Sequence, residues 1–83
     1  MGEVVAIIRI MPGENVGIEQ LKKAVQSAIT AKGMREEPIA FGITALKITV
    51  VVPDKEGGTE KIESTLKGLK EVGDVQVIDL ALL

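Results

Sequence analysis

The sequence predicts an α+β sandwich: one four-stranded antiparallel sheet with two helices on one face, in the order β-α-β-β-α-β. Three observations predict it. Four runs rich in β-branched residues alternate with two stretches of helical period. Gly or Pro marks most of the junctions between them. The 83 residues are 46% hydrophobic, with Val, Ile, Leu and Ala dominant, which suits one folded domain spanning residues 1–83. A chain of this size buries roughly 60–65% of its extended surface, enough for one core with little margin.

The first strand is read at residues 3–11, EVVAIIRIM, which ends at the turn signal Pro12-Gly13. One face carries Val4, Ala6, Ile8 and Ile10. The other carries Val5, Ile7 and Arg9, and Arg9 marks it as the face nearer solvent, because a lone guanidinium is costly to bury. Residues 17–32 are read as a helix. Ile18, Leu21, Val25, Ala28 and Ile29 form one stripe, with Asn15 or Gly17 as its cap and Lys32-Gly33 as its end.

A short strand follows at residues 35–41. Pro38 lacks an amide donor, so this strand belongs at a sheet edge. Residues 44–52, TALKITVVV, alternate most clearly: Leu46, Ile48, Val50 and Val52 against Lys47, Thr49 and Val51. The second helix is expected over 60–70, with Thr59 as N-cap and Ile62, Leu66 and Leu69 as its stripe. Val72-Gly73-Asp74 is expected to turn the chain into a last strand at 75–82. There the apolar phase slips by one residue after Val77, which predicts a β-bulge near Ile78-Asp79. Right-handed crossovers then give the ferredoxin-like sandwich, sheet order 4-1-3-2, with the second and fourth strands at the edges. Val5, Ile7, Val51 and Ile78 are expected on the uncovered sheet face beside Arg9, Lys47 and Thr49. They reflect either ordinary β-propensity or a partner or self-association surface.

The composition excludes several function classes. The net charge is −2, with no long block of like charge, which argues against electrostatic binding to nucleic acid. There is no Cys and no His. Disulfides, zinc-thiolate sites and the commonest general base are absent with them. The apolar run Val4–Met11 is broken by Arg9 and too short to span a bilayer, so a soluble cytoplasmic protein without membrane contact is expected. Ser27 and Ser64 fall in the predicted helices without a base to activate them. Gly57-Gly58 lies in no phosphate-loop motif and reads as a plain turn. Glu36 and Glu37 point to opposite faces of a strand, so they read as a solvated charge run rather than an acid/base pair. Asp54 and Glu56 are too few for a dedicated cation site. The residues point to a binding module rather than an enzyme.

Residues 36–54, EEPIAFGITALKITVVVPD, with EGGTEKIESTL at 56–66, resemble the archaeal elongation factor 1-beta family. The likeness runs from GEVVAIIRIMP at 2–12 to VGDVQVIDL at 72–80. It implies the family's role: releasing GDP from the GTPase elongation factor 1-alpha so that GTP can bind. It implies no cofactor, since the magnesium belongs to the GTPase. It also implies a GTPase-binding surface at the turn between the second and third strands and at the C-terminal end. Carried onto this chain, those contacts are Pro38, Ile39, Ala40, Phe41, Gly42, Leu82 and Leu83, with Lys47 either a basic contributor from the third strand or a plain solvent-facing sheet lysine. Eukaryotic relatives have a lysine near the C-terminus. This chain departs from that pattern, reading Asp79-Leu80-Ala81-Leu82-Leu83 there with no basic residue, so either exchange leans on other contacts or this copy is weak, truncated or altered. Phe41 is the one aromatic residue. A sheet edge is a poor place for the ring of a core and a good one for an anchor offered to a partner; the alternative is a partly buried ring that braces the turn. The alternative from the residues alone is a small-molecule-binding or dimerisation module, weakly self-associating through the open face.

Overall fold

The computed structural model describes residues 2–53 and 58–82. Its elements are β1 (Glu3–Pro12), α1 (Ile18–Ala28), β2 (Gly33–Ala40), β3 (Ile43–Pro53), α2 (Gly58–Lys67) and β4 (Val72–Leu82). The strands form one antiparallel sheet in the order β2-β3-β1-β4, which is the predicted ferredoxin-like order. Each helical crossover joins strands that flank a third: β1 and β2 flank β3, and β3 and β4 flank β1. Pro38 lies in the outer strand β2, where its missing amide breaks no ladder.

The alternation in β1 and β3 decides where the core sits. Ala6, Ile8 and Ile10 from β1, and Leu46, Ile48, Val50 and Val52 from β3, are buried on one face. Leu21, Val25 and Ile29 from the first crossover, Leu66 from α2 and Val75 from β4 close over them in a single cluster. Burying a side chain of this size is worth about 1.5–3 kcal/mol, so these aliphatics supply the core without an aromatic ring.

α1 ends at Ala28, four residues before the predicted limit. Ile29 caps it with extended backbone (φ −140, ψ 143) while its amide donates to the Val25 carbonyl at 2.9 Å. Ile29 turns into the core, and the Lys32 amide already donates to the Thr49 carbonyl at 2.8 Å. β-branched Ile29 and Thr30, whose helix propensity is modest, thus leave the helix for the link into β2, and Lys32 is the residue that reaches the sheet. Ala28, counted in the apolar stripe, is exposed. Of the two proposed caps it is Gly17 that holds the position, and its amide donates to the Gln20 side chain at 3.0 Å.

α2 begins at Gly58, so Thr59 lies inside its first turn rather than capping it, and it ends at Lys67. Leu69 sits in the following turn and still packs on the core. Val72, Gly73 and Asp74 belong to β4 rather than to a turn: Val72 pairs with Pro12 and Asp74 with Met11, around a register shift. A Cβ on Gly73 would lie 2.6 Å from the Pro12 carbonyl oxygen, so only glycine permits this approach. The predicted bulge is present. Val77 pairs with Ile8 and Asp79 with Ile7, leaving Ile78 without a partner. Asp54, Glu56 and Gly57, and with them the carboxylate pair considered for a cation, lie outside the described residues, as does Leu83.

Candidate functional site

The β2–β3 connection is a two-residue hairpin. Ala40 pairs with Ile43, and Phe41 and Gly42 form the turn between them. Both have positive φ, 52° for Phe41 and 77° for Gly42, as a type I′ turn requires. Gly accepts that conformation freely, whereas for Phe it is strained. The Phe41 side chain is 101% exposed. The ring does not brace the turn; it stands clear of the protein. Ile39 and Ile43 flank it, each 44% exposed, so the tip presents three apolar side chains. Pro38 and Ala40 are exposed as well.

Behind the tip lies an open cleft of about 500 Å³. Met11–Ile18 form one wall, and Gly42, Ile43 and Thr44 the other. The hairpin therefore sits against the β1–α1 connection, at the end of the sheet where β1 finishes.

Lys47 faces the uncovered side of the sheet, opposite Arg9 on β1 and Arg35 on β2. Its Nζ donates to Glu37 Oε2 at 3.2 Å, and Arg9 Nε donates to Glu37 Oε1 at 3.0 Å. One carboxylate thus ties the outer strand that carries the tip to both central strands. The Lys47 hydrogen bond, reinforced by the Lys47 and Arg9 charges, holds the Glu37 carboxyl below its ordinary value, against a smaller opposing effect of partial desolvation. Glu36 points to the other face, where Lys22 Nζ donates to its Oε2 at 3.2 Å. The two carboxylates do face opposite ways, but each holds an ion pair, so they are not a merely solvated charge run. Lys47 is correspondingly a bridging residue of the face and not a free surface lysine.

The predicted contact residues fall into two groups. Leu82 pairs with Val4, and Val4 pairs with Val52. Nine residues of β3 separate that level from Ile43, about 30 Å at the rise of a strand. The tip and the end of β4 thus lie at opposite ends of the sheet. Leu82 and Leu80 share the phase of the core residues yet remain 72% and 55% exposed, because β4 is the outer strand and has a neighbour on one side only. At the bulge the Leu80 amide donates to the Asp79 carboxylate at 3.0 Å. Val5, Ile7 and Val51 lie half-buried on the open face with Arg9, Lys47 and Thr49.

Sequence reasoning missed two features. The bridging role of Glu37 needed the register of three strands. The left-handed backbone at Phe41 was legible, since X-Gly between two alternating strands signals a two-residue hairpin. Among the described residues no three His, Cys, Asp or Glu side chains gather as a metal site, and no helix is long and apolar enough to cross a membrane.

Residues 5–83 match the family model described as "EF-1 guanine nucleotide exchange domain". The chain is 46% identical to "Elongation factor 1-beta" of Methanothermobacter thermautotrophicus, over 96% of each chain. It is 44% identical to the protein of that name in Methanobrevibacter smithii, over 95% of this chain and 94% of the other. A third, from Methanoculleus marisnigri, is 40% identical over the whole of both. With a match across almost its full length, the chain belongs to the EF-1 guanine nucleotide exchange domain family.

Proposed function

We infer that this chain promotes GDP release and GTP loading on elongation factor 1-alpha in the cytoplasm, acting as a binding partner and not as an enzyme. The observation that carries the reading is Phe41, fully exposed at the hairpin tip with φ 52°, on a chain of the exchange-domain family. Backbone strain persists where the surrounding fold over-determines it, and it gathers at working sites. Aromatic anchors are the residues most enriched at binding hot spots.

The mechanism is differential binding. An exchange factor acts by binding nucleotide-free GTPase more tightly than the GDP-bound form. By linkage, it weakens GDP by the same factor by which GDP weakens it. A two-residue hairpin tip suits this task, since a short turn leaves little loop to order on binding. Ile39, Pro38, Ala40 and Gly42 shape the tip. Lys47 holds its outer strand through Glu37, and Leu82 offers a second contact at the far end.

The test is release of labelled GDP from the cognate GTPase. Saturating wild-type chain should accelerate it. Phe41→Ala should slow the accelerated release tenfold or more, which corresponds to about 1.4 kcal/mol or more at the hot spot. Wild-type protein without effect on release sinks the reading.

A further inference from the structure

The open sheet face carries an arrangement that the hairpin reading leaves unexplained. Arg35, Lys47 and Arg9 are direct cross-strand neighbours in one row over β2, β3 and β1. Like charges set directly opposite destabilise a sheet, and this row gathers three cations on a chain whose net charge is −2. Glu37 neutralises part of it by bridging Arg9 and Lys47. Arg35 is exposed and has no ion pair among the described residues.

Beside Arg35 the face is hollow. Gly33 lies opposite Thr49 and has no side chain to fill the space. The result is an open notch of about 460 Å³, with Ile7 and Thr49 in its lining and Arg35 and Lys47 at one side. The Arg35 guanidinium, beside the hydroxyl-bearing Thr49 and with the Lys47 ammonium held nearby by Glu37, suits an anionic group. Nucleic acid is the poorer match. The face has no aromatic side chain for base stacking.

We propose that this notch is a second docking point, which takes a carboxylate side chain from an acidic face of the partner GTPase. The proposal rests on the exchange-factor reading and deepens it. The tip supplies the apolar anchor, and the notch supplies orientation and rate of encounter, as complementary charge at an interface does.

The test is the association rate of the chain with nucleotide-free GTPase, measured by stopped flow at low and high salt. Arg35→Glu should lower the rate about tenfold at low salt and flatten its salt dependence. The same substitution should leave thermal stability equal or higher, since it replaces one of two like charges opposite each other. Arg35→Gln should fall between. Wild-type chain that accelerates GDP release, together with an Arg35→Glu variant that associates at the wild-type rate, overturns the notch and leaves the exchange function standing. Wild-type chain that fails to accelerate release overturns the exchange reading instead. The notch is then decided by NMR titration with a polyglutamate peptide. Shifts confined to the amides of Gly33, Arg35, Lys47 and Thr49 support it. A silent face overturns it, as does a single-stranded oligodeoxynucleotide that binds there more tightly than the peptide.

Discussion

Phe41 occupies a backbone region that costs an L-residue about 1–2 kcal/mol, and its ring recovers nothing from burial. Phe41→Asn should therefore stabilise the free protein by about 0.5–1 kcal/mol, because Asn tolerates positive φ and favours the type I′ turn. The same variant should exchange nucleotide more slowly. Urea denaturation beside a GDP-release assay checks both, and a loss of stability would show that the ring supports the fold. Glu37 gives a second residue-scale expectation. Its carboxyl is held below the ordinary 4.5 by Lys47 and then Arg9. A carboxylate with a depressed folded-state pKa adds stability that is present above its unfolded value and is lost as pH falls through the folded one. Acid unfolding should therefore steepen below about pH 4.5, and Glu37→Gln should lower stability at pH 7, where the ion pairs are formed, and flatten the acid limb so that the two proteins converge at low pH. Melting temperature against pH, for both proteins, reads this directly.

At the scale of elements, the two outer strands are managed differently. β2 carries Pro38 and charged side chains, devices that blunt an edge. β4 has a bulge at Ile78 and an Asp79 carboxylate that accepts from the Leu80 amide. Its start depends on Gly73, tucked under Pro12. Gly73→Ala should cost about 2 kcal/mol, since the added methyl collides with a carbonyl oxygen that no rotamer change can move. α2 is anchored by Leu66, its one buried residue, so Leu66→Ala should cost about 2–5 kcal/mol. Denaturant midpoints test both substitutions, and an unchanged midpoint for Leu66→Ala would mean that α2 adds little to the core. Helix limits were the least legible part of the sequence. Ile29, Thr30 and Lys32 continue the helical pattern but form the link into β2, where the Lys32 amide bonds to Thr49, and the stripe alone does not record that competition.

Across the whole molecule, the long axis measures 41 Å against 21 and 16 Å, and the Phe41 tip and Leu82 lie at opposite ends of the sheet. One rigid body can thus touch a partner at the Phe41 tip and at Leu82 at once. The two contacts share no neighbours, so Phe41→Ala and Leu82→Ala should add in binding free energy to within about 0.5 kcal/mol. A double-mutant cycle on affinity for the nucleotide-free GTPase checks it, and a larger coupling would mean that the ends communicate. The sequence by itself determined the element order, most of the core residues, the edge position of Pro38 and the bulge at Ile78. Each of these follows from local periodicity, from a missing amide or from a one-residue slip, all of which are properties of neighbours along the chain. Residues 36–66 also carried the family. Only the tertiary structure decided that Glu37 bridges Arg9 and Lys47, that Gly33 opens a notch beside Arg35, and that Gly73 lies under Pro12. Those relations join residues far apart in sequence, and they exist only once strand register brings them face to face.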